Sequence, residues 1–241
     1  MRRLPSQELL RLWEEGRTQH PLDRALTLLQ AAEGGTRRAL AQLPMGERDA
    51  RLLSLHEQLF GSELRCYAEC PHCAERLEFS VSTSGLRVPT AQPGERELSE
   101  GGYTLRFRPL DSTDLAAATQ CSGEDAAVAL LVRRCVLSAT LKGEPVEPDA
   151  LPDQVVQTLS SALLECDPQA ELLLDLKCPG CGRSWQSPLE LVPFLWTQIT
   201  SRARRLLREV HTLAMAYGWS EEAILSLGDA RRQAYLSLVN E

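Results

Sequence analysis

The sequence has no apolar run approaching the roughly 18 residues that a membrane-spanning helix requires. No apolar h-region follows Met1-Arg2-Arg3-Leu4-Pro5, so no secretory signal is visible, and a cytoplasmic protein is the expectation. An excess of basic charge is also missing. The 26 Lys and Arg are outnumbered by 33 Asp and Glu, giving a net charge of -7 and a pI near 5.3. Phosphate binding needs a basic face, so nucleic acid is not the expected partner.

The familiar catalytic signatures are absent as well. No Gly-x-Ser-x-Gly elbow, phosphate loop or dinucleotide fingerprint occurs. The stretch His56-Glu57-Gln58-Leu59-Phe60 opens like a zinc-protease helix, but Phe60 stands where the second histidine belongs. The four histidines, at 20, 56, 72 and 211, are scattered. A zinc deaminase would need Pro before its Cys-x-x-Cys, and neither cysteine pair here has one. The expectation is a protein without an enzymatic site.

Eight cysteines in 241 residues are too sparse for a small disulfide scaffold. Four of them form two matching pairs, Cys70-Pro71-His72-Cys73 and Cys178-Pro179-Gly180-Cys181, with 104 residues between. A strand-like run flanks each pair on both sides, so strand, Cys-Pro-x-Cys, strand occurs twice. A tight turn aims both thiolates of a Cys-x-x-Cys at one centre, and two such knuckles complete a tetrahedral zinc shell. Cys70, Cys73, Cys178 and Cys181 are therefore the expected ligands of one structural zinc ion, with no open position for a substrate. Arg65, Arg76, Lys177 and Arg183 are placed to offset the formal -2 of a four-thiolate unit.

Alternatives remain beside that reading. Cys70-Pro71-His72-Cys73 matches a disulfide-oxidoreductase tetrapeptide, but such cysteines open a helix. A structural disulfide disagrees with a reducing compartment. Cys66 stands four residues before Cys70 and competes as a ligand, although strand alternation would bury it as a small apolar residue. Cys121, Cys135 and Cys166 have no partner at ligand spacing and read as core thiols.

Along the chain, residues 6–60 carry helical periodicity, with Pro21 at a first turn and a third helix from about 47 to the Gly61 stop. Strands are expected at 63–69, at Leu77-Glu78-Phe79-Ser80-Val81 and at Tyr103-Thr104-Leu105-Arg106-Phe107-Arg108. Pro89, Pro93, Gly94, Gly101 and Gly102 mark loops. Asp111-Ser112 caps a short helix, a longer one is expected from 124 to 139, and another from 152 to 166. Strands return at 171–177 and 184–191. Pro193 opens a long helix with an apolar stripe of Leu195, Ile199, Ala203, Leu206, Val210, Leu213 and Tyr217. Arg202, Arg204, Arg205 and Arg208 fall on its polar side, and Gly218 and Gly228 separate two final short helices.

The pattern predicts an α+β protein, mainly helical, with a small antiparallel β core built as a split four-cysteine zinc ribbon. Its expected regions are a helical segment 1–61, a first knuckle with strands 62–108, a helical insertion 109–168, a second knuckle with strands 169–191, and a helical module 192–241.

The last module runs Tyr217-Gly218-Trp219-Ser220-Glu221-Glu222-Ala223-Ile224-Leu225, then Arg231-Arg232-Gln233-Ala234-Tyr235-Leu236. With Trp13, the step Leu43-Pro44-Met45-Gly46-Glu47-Arg48-Asp49, both cysteine pairs and Phe194-Leu195-Trp196, the chain resembles baseplate proteins of the T-even phage hub type. Such proteins occur in phage tail-like extracellular contractile injection systems. The resemblance implies a non-enzymatic role in building the baseplate, with hub, wedge or spike components as partners, within the producing bacterium or in the assembled particle. Two alternatives come from the residues themselves: a zinc-ribbon module of nucleic-acid or transcription proteins, and a thiol–disulfide oxidoreductase.

Overall fold

The computed structural model describes residues 4–88 and 94–239; Pro89 and Pro93, read above as loop markers, lie outside them. In chain order come helices α1 (Ser6–Gly16), α2 (Pro21–Glu33), α3 (Arg37–Ala41) and α4 (Met45–Phe60), strands β1 (Glu63–Glu69) and β2 (Arg76–Ser82), and the single turn α5 (Thr83–Leu86). There follow β3 (Arg96–Glu100), β4 (Tyr103–Phe107), α6 (Ser112–Ala118), α7 (Glu124–Cys135), β5 (Val136–Leu141), β6 (Glu144–Pro145) and α8 (Asp153–Cys166). The hairpin β7 (Leu173–Lys177) and β8 (Ser184–Pro188) leads to α9 (Leu191–Tyr217), α10 (Glu221–Ser226) and α11 (Asp229–Val239). The protein is mainly helical with small antiparallel sheets, as expected.

The chain forms two compact units, and the first is discontinuous. It joins residues 1–34 to 191–241, and the second unit, 35–190, is inserted between α2 and α9.

In the first unit α9 is the central element, packed by α1, α2, α10 and α11. Leu195, Ile199, Ala203, Leu206 and Leu213 of the expected stripe are buried, Val210 is half-buried, and Tyr217 is exposed. The helix instead buries a charge, Glu209, 5% exposed. Its partner is Arg232 of α11, which is itself buried. The Arg232 guanidinium donates to Glu209 Oε2 at 2.9 Å, Leu227 O at 2.6 Å, Asp229 Oδ1 at 2.5 Å and Ser6 Oγ at 3.3 Å. Gln233 Nε2 donates to the other Glu209 oxygen at 2.8 Å. One cation thus ties together both ends of the sequence. Gly16 closes the other side: a Cβ there would lie 2.2 Å from the Trp196 ring, so α1 reaches α9 only without a side chain.

The second unit holds three separate sheets: β1-β2, β3-β4-β5-β6 and β7-β8, all antiparallel. The helix expected from 124 to 139 stops at Cys135, and Val136–Leu141 becomes a strand paired with Tyr103–Phe107. Tertiary pairing overrides local helical periodicity there, because Val136 and Ala139 face the core formed with Leu105, Phe107, Val155 and Leu159. The stretch between the knuckles is therefore not a helical insertion alone. It carries this four-stranded sheet, with β3 and β4 turned at Gly101-Gly102 and β5 and β6 at Lys142-Gly143, both pairs at positive φ.

Asp111 caps α6, accepting from the Thr113 and Asp114 amides at 2.8 and 3.1 Å, while Asp114 Oδ2 accepts from the Asp111 amide at 3.0 Å. The wholly buried Asp114 carboxylate also receives two bonds from Arg108, at 2.7 and 3.0 Å, and one from Arg134 Nε at 2.7 Å. That joins α6 to the end of β4 and to α7. Burial works to raise this carboxyl's pKa, but the bonds from Arg108, the Asp111 amide and Arg134 outweigh it and hold the pKa below its ordinary 3.8.

Two stability predictions follow from these buried ions. Asp114→Asn should cost about 3 kcal/mol in chemical denaturation, since it removes the buried negative charge and one of the two oxygens that accept from Arg108 and Arg134. Because the folded-state pKa is depressed, the wild-type contribution is full above pH ~4 and lost as pH falls through the folded value, so the variant's acid limb should be flatter. In the first unit, Arg232→Met should cost about 3–5 kcal/mol by stranding Glu209, and adding Glu209→Leu should recover much of that loss.

Candidate metal centre

β1 and β2 pair from Glu63↔Ser82 to Glu69↔Arg76, and residues 70–75 turn the hairpin. β7 and β8 pair from Leu173↔Pro188 to Lys177↔Ser184, with residues 178–183 at the tip. The two tips share one hydrogen-bond pattern. The Cys70 amide donates to Glu75 O and the Ala74 amide to Cys70 O, each at 2.9 Å. In the second tip the Cys178 amide donates to Arg183 O at 2.9 Å and the Gly182 amide to Cys178 O at 3.0 Å. Ala74 at φ 58° and Gly182 at φ 73° hold equivalent left-handed positions.

These copies meet at their sulfurs. All four ligand atoms of Cys70, Cys73, Cys178 and Cys181 lie within 4.8 Å of one another. Contacts run between the tips: Cys70 to Cys181 at 3.7 Å and Cys73 to Cys178 at 3.5 Å. The edge of a tetrahedron with metal–sulfur bonds of ~2.3 Å is about 3.8 Å, so the sulfurs stand close to the corners of such a shell. They are free thiols, much farther apart than the ~2.05 Å of a disulfide. Cys70 and Cys178 are buried, whereas Cys73 and Cys181 face outward.

The thiols perturb one another. The Cys181 amide, donating to Cys178 Sγ at 3.4 Å, leads the effects that pull the Cys178 thiol down to about 7, against opposing burial. Cys73 is pushed up to about 12: the Glu75 amide favours its thiolate, but a hydrogen bond with the Cys178 sulfur, burial, and hydrogen bonds with the Cys181 and Cys70 sulfurs prevail. Side chains close the rim. Arg183 Nη1 sits 3.2 Å from His72 Nδ1, and Glu75 of one tip lies over Gly180 of the other. Arg183 is thus brought to the site from the opposite tip, while Arg65, Arg76 and Lys177 are exposed on their strands.

The strands explain why the sulfurs matter. No residue of β7 or β8 is fully buried, and β2 likewise alternates only between exposed and half-buried. A two-stranded hairpin without a buried face is marginal by itself. Both Cys-x-x-Cys pairs lie on hairpin turns, not at a helix N-terminus as a redox pair would. Cys66 is outside the cluster: it lies buried in β1, its Sγ directed to Leu64 O at 3.8 Å, and burial pushes its thiol pKa up. Cys135 belongs to the core of the second unit, Cys121 Sγ points back at Ala117 O near the end of α6, and Cys166 Sγ at Leu163 O of its own helix. His56 is buried against Phe60 and Glu57 pairs with Arg87 at 2.9 Å, so neither joins the cluster. No described helix is long and apolar enough to cross a membrane.

Residues 25–196 match the family described as T4 bacteriophage base plate protein. The chain belongs to that family. The match takes in the whole second unit, both cysteine tips, the 43–49 step and Phe194-Leu195-Trp196, and ends before the 217–236 module. No curated protein and no solved structure matches the chain.

The tip geometry predicts opposite outcomes for two small substitutions. Gly182→Ala should lower the thermal midpoint, forcing a β-carbon into left-handed backbone at about 1–2 kcal/mol. Ala74→Gly relieves that strain at the equivalent position and should leave the midpoint unchanged or raise it.

Proposed function

We propose that the protein is a non-enzymatic structural or assembly component of a contractile tail or injection-system baseplate, acting through contacts with other baseplate proteins and held together by one zinc ion. The observation that carries the baseplate role is the family match across 25–196. What supports the metal is the approach of four free thiols to tetrahedral spacing, two of them from a hairpin, β7-β8, with no buried residue. Cys70, Cys73, Cys178 and Cys181 would be the ligands. Four thiolates favour zinc among common divalent ions and leave no site for a reacting water, which makes the ion a structural clasp. It would act within the producing bacterium or the assembled particle, with hub, wedge or spike proteins as partners.

Metal analysis of protein purified without chelators should give one zinc per chain. Cys70→Ser and Cys178→Ser should each abolish it and lower stability by a similar amount, less than the ~10 kcal/mol that zinc supplies to an isolated finger, because a packed core remains. Metal-free wild-type protein would refute the clasp. Co-expression with the sheath, tube, wedge and hub proteins of its own system should recover a stable complex. Normal particles after deletion, together with no association, would refute the baseplate role.

A further inference from the structure

The second unit carries a groove of ≈ 600 Å³ between α7 and the start of α8. Val128, 41% exposed, lines it together with Val132, Leu151 and Val156. Its rim is acidic. Asp149 is matched by Arg133 at 3.3 Å, but Glu124, Asp125 and Asp153 have no hydrogen bond or ion pair among the described residues. An apolar floor beneath three uncompensated carboxylates suits a cationic ridge with apolar side chains.

The same chain presents one in its first unit. Arg204, Leu207, Arg208, His211 and Met215 recur at i, i+3, i+4, i+7 and i+11 on α9, opposite its buried stripe, and all five are exposed. Met215 is 77% exposed. Arg202 and Arg205 on the same helix are engaged by Asp229 and Glu209, whereas Arg204 and Arg208 have no partner among the described residues. Residues 204–215 of α9 span about 18 Å, as does α7, since each runs twelve residues at ~1.5 Å per residue.

We propose that the α9 ridge of one copy docks into the α7–α8 groove of a second copy. Arg204 and Arg208 meet Glu124, Asp125 and Asp153, while Leu207 and Met215 cover Val128 and Val156. The contact is heterologous: each chain offers a ridge and a groove, so copies add head to tail into a closed ring or an open row. It rests on neither the metal nor the baseplate reading.

Sedimentation velocity of the purified full chain tests it. Wild type should self-associate with concentration at about 50 mM salt and dissociate at about 500 mM, where the Debye length shrinks to a few ångströms. Arg204→Glu with Arg208→Glu should weaken association at least about tenfold, and Glu124→Lys with Asp125→Lys should do the same. Mixing those two double variants, each monomeric alone, should restore assembly, because each supplies the charge the other reversed. Val128→Lys, which leaves the helix N-terminus intact, should also dissociate the copies. Circular dichroism confirms that each variant is folded. Wild type that stays monomeric, association indifferent to salt, or a mixture that fails to reassemble would each overturn the proposal. So would a monomer whose groove instead retains a basic amphipathic peptide, since the occupant would then be a foreign segment.

Discussion

Two hairpin tips 104 residues apart converge at four sulfur atoms, and little else in the second unit holds the strands that carry them. β7 and β8 bury nothing completely, so the hydrophobic effect, which anchors α4 and the four-stranded sheet, has little grip on them. Hydrogen bonds along a two-stranded ladder do not fill the gap, because an unfolded hairpin makes equivalent bonds to water. The proposed metal at the tips would supply the strong restraint left, and it would close a loop of more than a hundred residues. Closing so long a loop removes much of the entropy of the open chain, whatever the chemistry of the closure.

The sulfur pairs were fully legible in the sequence because their signal is local and duplicated. Each Cys-Pro-x-Cys needs only its own turn, and the flanking alternation places both turns on hairpins. Cys66 was ambiguous only because spacing cannot say which way a side chain points; its place in the β1 alternation resolves it toward the interior. The strand at Val136–Leu141 was obscured for the opposite reason. Its residues continue the helical periodicity of α7, and only pairing with Tyr103–Phe107, far off in sequence, makes it a strand. The Lys142-Gly143 turn after it was a hairpin signal that supports a strand on both sides. β3, Arg-Glu-Leu-Ser-Glu, is too charged to read as a strand without its partner.

Charged residues hid the rest. Arg202, Arg204, Arg205 and Arg208 read as the polar side of α9, but nothing in the sequence pattern marks Arg232, which is among the most buried side chains of the protein, or Glu209, which displaces Val210 from the inner stripe. Asp114 likewise looks like a first-turn acid and proves to be a wholly buried junction of α6, α7 and β4. Periodicity assigns charge outward by default and cannot see a cation that brings its own acceptors. These ionic junctions are also intolerant of single changes, since losing one partner leaves the other desolvated.

The discontinuity of the first unit has a consequence for how the protein is made. α1 and α2 leave the ribosome before the helix they pack against, α9, which arrives only after residues 35–190. At about 5–20 residues per second, their apolar faces wait roughly ten to thirty seconds for a partner. The inserted unit, continuous in sequence, is free to fold in that interval. The order of synthesis therefore favours a finished insert and a late closure, with the Arg232 junction to Ser6 and Glu209 formed last. Until then, Leu9, Leu12, Leu26 and Leu29 are the surfaces a nascent-chain chaperone would meet.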